Sequence, residues 1–164
     1  MSEESRFFGQ FGSGGSSGGG GGSTVMGGVF GISSASGEYT YYATIQLALA
    51  SASSGDVIEQ FANVSVSTGT SVTLVDGVTW NMNGYEYKNT STSVFDMLDI
   101  PTNTTVNFTF LNGKQTRTTG GSSGGKLLET GNYTTSKVEA YGVTFENVEG
   151  QSLGGKSELI GGIF

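Results

Sequence analysis

The side chains best able to do chemistry in this chain are its carboxylates, because two other groups that enzymes use are missing. The 164-residue sequence contains no His and no Cys. This removes the commonest general base, the commonest metal ligand and every thiol reaction. Zinc sites and Ser-His or Cys-His nucleophile systems are therefore excluded. The densest acidic set is Glu86, Asp96 and Asp99.

Catalysis by carboxylates requires a pair held at a fixed separation, as in glycosidases. No Asp pair recurs at such a spacing, and Arg117, the only Arg besides Arg6, has no Asp in its own repeat element. We therefore expect no enzyme activity, no catalytic residue, no cofactor and no resident metal. The favoured interpretation is that these carboxylates lie on the solvated surface. Calcium binding at Asp96 and Asp99 is the alternative.

Asparagine amides beside aromatic rings are a second pattern, and one typical of sugar recognition. The aromatic candidates for glycan contact are Trp80, Tyr85 and Tyr87. The interpretation we favour for the asparagines is turns and ladders, because Asn tolerates left-handed backbone angles and bonds its own backbone. The asparagines concerned are Asn81, Asn83, Asn89, Asn103, Asn107, Asn112, Asn132 and Asn147.

An aromatic cluster precedes a glycine-rich tether at the start of the chain. Phe7, Phe8 and Phe11 stand before Gly12 to Ser23, which is almost pure Gly and Ser. A disordered linker is one interpretation. Exposed aromatic rings are costly in water unless they dock, and glycine lets a backbone lie close against a partner. We therefore interpret residues 1–28 as an extended anchor arm whose three Phe side chains bind a partner protein.

The charge balance excludes several classes of partner. The net charge is −7, the pI is about 4.4, and the seven Lys and Arg residues are scattered. Binding to a nucleic-acid backbone needs a basic surface, so it is excluded. For the same reason we do not expect binding to an anionic membrane surface. No secretory signal pattern and no run of 18 apolar residues occurs, so we expect neither export by the general route nor a membrane span.

One helix is predicted within residues 39–58, after a connector at residues 29–38. Its apolar positions fall on one helical face, and Thr40 or Thr44 could cap its start. Ser53 to Asp56 then ends the helix, and a strand begins at Val57. The periodic positions are Tyr42, Ile45, Leu49 and Ala52.

Three later segments, residues 77–84, 107–113 and 142–150, resemble one another. Each has an aromatic residue two positions after an apolar one, followed by Asn and Gly. Trp80 and Phe110 are 30 residues apart, and Phe110 and Phe145 are 35 apart. Such a period is typical of a solenoid, in which each turn buries its apolar face against the next. An antiparallel sandwich or jelly roll is the alternative.

The stretch from Tyr42 to Ile58 resembles the opening of pectin-lyase-like right-handed parallel β-helices. Thr44-Ile45-Gln46, the alanines after it, and Gly55-Asp56-Val57-Ile58 carry the resemblance. Phe61 to Val64 replaces the Pro-Gly-x-Tyr that usually follows in that family. The resemblance implies an all-β fold, a short right-handed parallel β-helix with an N-terminal capping helix at residues 39–58. The β-helix coils would occupy residues 57–150, with a cap or the start of a further region at residues 151–164.

The Phe-tipped arm, the Thr-, Ser- and Asn-rich body and the missing His, Cys and signal together resemble bacteriophage tail-fibre or tail-spike proteins. This resemblance implies a non-enzymatic virion protein made in the host cytoplasm, attached to other virion proteins by its arm. It also implies a homotrimer and contact with a host-surface glycan. A bacterial surface adhesin or filament subunit, and a fragment of a carbohydrate-active β-helix enzyme, are the alternatives.

Overall fold

The computed structural model describes residues 28–93, 95–101, 104–118, 127–129, 136–147 and 153–154. This part of the chain consists mostly of strands, with one short helix. The elements are β1 (Phe30–Ser33), β2 (Tyr39–Tyr42), α1 (Ile45–Ser51), β3 (Val57–Gln60), β4 (Val64–Val66), β5 (Val72–Thr73), β6 (Thr79–Asn81), β7 (Glu86–Asn89), β8 (Leu98–Asp99), β9 (Asn107–Arg117), β10 (Leu128–Glu129), β11 (Lys137–Asn147) and β12 (Leu153–Gly154).

The strands form two sheets. The larger has eight strands in the order β2-β1-β3-β6-β9-β7-β4, with β11 also paired to β9, and the smaller has the order β12-β10-β8-β5. In the larger sheet β1 is antiparallel to both β2 and β3. The remaining described pairs are parallel.

The predicted fold class, a right-handed parallel β-helix, is wrong. The larger sheet is mixed, because the β1–β2 hairpin pairs antiparallel with β3 and extends that sheet. The segment predicted to contain the capping helix, residues 39–58, does not begin with helix. Its first four residues, Tyr39–Tyr42, form strand β2. A run of β-favouring Tyr and Thr side chains explains this strand.

The N-cap residue Thr44 determines where helix α1 begins. Thr44 has an extended backbone, and its Oγ1 accepts a hydrogen bond from the backbone N–H of Leu47 at 3.3 Å. An N-cap of this kind satisfies one of the donors that a helix leaves unpaired. Ile45, Ala48 and Leu49 are buried, so the helix lies with this face on the core. Of the two predicted caps, Thr44 is therefore the correct one.

Asparagine and glycine residues adopt left-handed backbone angles at several places in the described chain. Asn83 and Asn112 have positive φ angles of 51° and 49°, and Gly142 has 65°. Asn81 Oδ1 also accepts the backbone N–H of Asn83 at 3.2 Å. The backbone angles of Asn83 and Asn112 agree with the interpretation as turn or ladder residues, since left-handed φ angles are rare for other side chains. Asn103 and Asn132 lie outside the described residues.

A chain of aromatic rings runs through the core. The Trp80 ring centroid lies 5.9 Å from that of Phe30 and 5.9 Å from that of Phe110, and the Phe110 centroid lies 5.6 Å from that of Phe145. Trp80 and Phe110 are partners in register, whereas Phe145 pairs with Gln115 and Phe110 pairs with Ala140. The spacing of 35 residues between Phe110 and Phe145 therefore relates two different register positions along the paired strands.

Candidate functional site

One row of outward side chains crosses the larger sheet. Ile58 and Trp80 are buried partners, so the residues next to them, Glu59 and Asn81, point to the opposite face. The register continues this row across six strands, which at ~4.8 Å per strand gives a length of ~24 Å. We call it the outer row; in strand order β2-β1-β3-β6-β9-β11 it consists of Tyr41, Gly31, Glu59, Asn81, Leu111 and Tyr141.

An aromatic cluster lies at one end of the outer row. The Tyr39 and Tyr41 ring centroids are 5.8 Å apart, and Phe61 lies 5.4 Å from Tyr39 and 5.7 Å from Tyr41. Each of the three side chains is only partly buried. We call Tyr39, Tyr41 and Phe61 the aromatic platform. Partly exposed rings of this kind offer apolar faces with polar edges to a ligand.

Gly31 makes room for the aromatic platform. A Cβ atom at Gly31 would lie 2.8 Å from Phe61 Cε2 and 3.0 Å from Tyr39 Cδ1. Both distances are shorter than the contact distance of carbon atoms. The rings can therefore lie over β1 only because this position has no side chain.

Two polar groups of the outer row lie on the strands next to the platform. Tyr39 donates its hydroxyl hydrogen to Glu59 Oε2 at 2.6 Å, and this bond raises the pKa of Tyr39. Asn81 Oδ1 accepts from the backbone of Asn83 and, at 3.4 Å, from Asn112 Nδ2. Its Nδ2 group is then directed away from these donors. A carboxylate acceptor and an amide donor beside aromatic rings are the groups that bind sugar hydroxyls and sugar ring faces.

The other end of the outer row carries a single aromatic ring. Tyr141 is 43% exposed, and its hydroxyl donates to Glu139 Oε1 at 3.2 Å, which raises the pKa of Tyr141. Glu139 also pairs with Lys137 at 2.8 Å. The hydrogen bond from Lys137 is the main cause that lowers the pKa of Glu139. The charge of Lys137 is thus largely compensated on its own strand.

The glycan contacts predicted from the sequence do not lie in this row. Trp80 is 0% exposed and Tyr87 is 1% exposed, so neither ring has a face open to a sugar. Tyr85 is 36% exposed but lies in the turn between β6 and β7. The predicted docking residues Phe7, Phe8 and Phe11 lie outside the described residues.

The predicted acidic set is dispersed. Glu86 is on β7, where it accepts the Thr116 hydroxyl hydrogen and lies 3.7 Å from Lys114 Nζ. Asp99 is on β8 of the smaller sheet, and burial together with the charge of Asp96 raises its pKa. Among the residues that the structure describes, no group of three or more carboxylates is placed to hold a metal ion.

Arg117 is a buried structural residue. Its guanidinium carbon lies 5.0 Å from the centre of the Phe95 ring, and Nη2 donates to the backbone oxygen of Ser93 at 3.1 Å. Burial lowers the pKa of Arg117, and the charge of Asp96 acts in the opposite direction. These contacts hold the chain before β8 against the end of β9.

A shallow groove of about 280 Å³ lies between α1 and β5. Its wall contains no titratable side chain, so it offers hydrophobic contact and hydroxyl or amide hydrogen bonds but no acid–base chemistry. The lining residues are Gln46, Leu49, Ala50, Ser71, Thr73 and Val75.

The aromatic platform is not among the predicted sites, because Tyr39 and Tyr41 fall at the beginning of the segment predicted to contain the helix. Alternation was the available signal: Tyr39 and Tyr41 point outward, while Tyr42 packs against the core. Period-two alternation of this kind indicates a strand with two different faces.

The chain was compared with protein-family models, with curated proteins and with solved structures, and nothing in any of the three matches it. The resemblance to pectin-lyase-like proteins stays a sequence prediction. None of the helices in the described part of the chain is long and apolar enough to span a bilayer.

Proposed function

We propose that this chain is a non-enzymatic structural protein of a bacteriophage virion, a tail-fibre or tail-spike component that contacts glycans on the host surface. The observation that carries the glycan contact is the aromatic platform with Glu59 and Asn81 on the adjacent strands. In this proposal residues 1–28 attach the body to other virion proteins through Phe7, Phe8 and Phe11. A homotrimer is part of the same proposal.

The role of a binding protein rather than an enzyme is supported by how the carboxylates are used. Glu59 is bound by Tyr39, Glu86 by Thr116 and Lys114, and Glu139 by Lys137. Glycoside hydrolysis instead uses two carboxylates that face the same bond and have pKa values pushed apart. The outer row holds one carboxylate, that of Glu59, beside rings and an amide.

The glycan contact is tested by removing one platform ring. Tyr41→Ala removes a partly exposed ring, and retention of the protein on polysaccharide extracted from host cells should fall several-fold, as expected for a lost contact of ~1 kcal/mol. Leu47→Ala is the control, because Leu47 is 54% exposed but lies on α1. Equal retention of the two variants would contradict the proposed site, provided that both have wild-type circular dichroism.

Attachment to the particle is tested by deleting residues 1–24. The shortened protein should fail to enter particles during infection while keeping its glycan retention, because the described body begins at Gly28. Normal incorporation of the shortened protein would disprove the anchoring role of Phe7, Phe8 and Phe11. Loss of both incorporation and glycan retention would instead mean that the arm is needed for the body to fold, and would equally disprove a purely anchoring role.

A further inference from the structure

We propose that the outer row binds an uncharged, linear oligosaccharide that lies across the strands, from the aromatic platform to Tyr141. This inference rests on the proposed glycan contact and specifies the ligand class and its direction. The two ends of the row carry partly exposed rings, and Leu111 provides an apolar position between Asn81 and Tyr141. Rings at both ends of one row favour a ligand that reaches both.

The length of the ligand follows from the register. Tyr41 of the aromatic platform and Tyr141 stand at the two ends of the outer row. The strands that carry Gly31, Glu59, Asn81 and Leu111 lie between them, so the whole row measures ~24 Å. Backbone hydrogen bonds fix every one of these positions, so the row cannot shorten to suit a small ligand. A disaccharide would contact only one end. Contact with both ends requires a chain of several sugar units.

The absence of charge on the ligand follows from the charges around the row. Residues 7–87 include no Lys and no Arg, so the platform end has no cation within this stretch of sequence, while Glu59 contributes a carboxylate. At the Tyr141 end the ammonium group of Lys137 is paired with Glu139. A glycan carrying carboxylates would be repelled by Glu59. The described lysines of β9 and β11, Lys114 and Lys137, are each paired with a carboxylate of the chain. The net charge of −7 acts in the same direction.

Sugar hydroxyls have defined partners in the row. Glu59 Oε2 is occupied by the Tyr39 hydroxyl, and its second oxygen, Oε1, is the acceptor for a sugar hydroxyl. Asn81 Nδ2 is the donor on the adjacent strand, ~4.8 Å along the row. One acceptor and one donor at this separation suit neighbouring hydroxyl groups of a pyranose ring whose face lies on the platform.

The experiment presents the full chain with an array of neutral oligosaccharides and uronate-containing oligosaccharides, each from disaccharide to octasaccharide. The wild-type protein should retain long neutral chains and reject uronates of the same length. Tyr141→Ala should weaken the retained hexasaccharide about tenfold (~1.4 kcal/mol) and leave any disaccharide binding unchanged. Tyr41→Ala should weaken both, and Leu47→Ala should weaken neither.

Five outcomes would overturn the inference. Uronates retained as well as neutral chains would contradict the charge argument. Unchanged hexasaccharide binding by Tyr141→Ala, or disaccharides bound as tightly as hexasaccharides, would contradict the length argument, while glycan contact itself would survive in all three cases. No retention of any glycan would overturn the inference together with the proposed function. Glu59→Gln removes the charge and leaves one acceptor oxygen to serve both the Tyr39 hydroxyl and the sugar, so neutral binding should weaken while the ratio of uronate binding to neutral binding rises. An unchanged ratio would contradict the charge argument.

Discussion

At the scale of single residues, Tyr87 is the clearest source of pH dependence. Its phenol is almost fully buried beside Trp80, with ring centroids 5.3 Å apart. Burial raises the pKa of Tyr87 to about 12 from the ordinary 10.0, against the opposing effect of a hydrogen bond with Gln46. Between these values the folded chain holds a proton that the unfolded chain has lost, so stability decreases as the pH rises.

We therefore predict that the Tyr87 contribution is fully present below pH ~10 and is lost as the pH approaches ~12. Two pKa units correspond to about 2–3 kcal/mol. Tyr87→Phe should flatten the fall of the free energy of unfolding over this range, measured by urea titration at a series of pH values. Tyr85→Phe is the comparison, because the Tyr85 side chain is 36% exposed. An equally steep fall in Tyr87→Phe would show that this phenol does not titrate with unfolding.

Trp80 shows which part of the site could be predicted from residues alone. An aromatic residue followed by Asn suggested a sugar contact, and the pair does lie on a strand, but Trp80 points inward and Asn81 outward. The pattern thus lies on a strand of the candidate site, but its aromatic member belongs to the core. Which face of a strand meets the core depends on the neighbouring strands, and these come from residues 22 and 30 positions away.

At the scale of elements, the strand β1 connects the core and the candidate site. Phe30 packs its ring against Trp80, while the next residue, Gly31, leaves space for the aromatic platform on the opposite face. The hairpin was not predicted, because its partners, β2 and β3, flank α1 in sequence. A short connector with glycines carries no strong strand signal of its own.

Gly31→Ala should weaken glycan retention while costing little stability. The new methyl group would lie 2.8 Å from Phe61 Cε2 and 3.0 Å from Tyr39 Cδ1, so both partly exposed rings must shift away from β1. We expect a loss in glycan affinity comparable to that of Tyr41→Ala and a change in the free energy of unfolding within ~1 kcal/mol. Titration with the retained oligosaccharide and urea unfolding measure the two quantities. A large loss of stability without loss of affinity would contradict this role of Gly31.

The start of α1 gives a second test at this scale. Thr44→Ala removes the acceptor of the Leu47 N–H and should lower the free energy of unfolding by ~1 kcal/mol. Thr44→Ser keeps a hydroxyl and should lower it by much less. Thermal unfolding of both variants measures whether Thr44→Ala is less stable than Thr44→Ser. Because α1 does not contribute to the outer row, glycan retention should be unchanged in both.

At the scale of the whole molecule, the core is continuous from the hairpin to β11. The series Phe30, Trp80, Phe110 and Phe145 joins strands that are far apart in sequence. The sequence pattern correctly indicated that distant aromatic residues would meet. It did not give the fold class, because an antiparallel hairpin at the edge of a mostly parallel sheet depends on contacts between segments and not on the local pattern of either.

A continuous core predicts that the described body unfolds as one unit. Trp80 is the only Trp in the sequence, so its fluorescence reports on the centre of the ring series, while far-ultraviolet circular dichroism reports on all strands. Phe30→Ala should shift both unfolding transitions together and lower the free energy of unfolding by about 3–5 kcal/mol. The reason is that the Phe30 ring is fully buried against Trp80 and Tyr87. Leu47→Ala, on the exposed side of α1, should change the free energy of unfolding by less than ~0.5 kcal/mol. If Phe30→Ala instead separated the two transitions, the hairpin would be a unit of its own, and the aromatic platform could rearrange without disturbing the parallel strands beneath it.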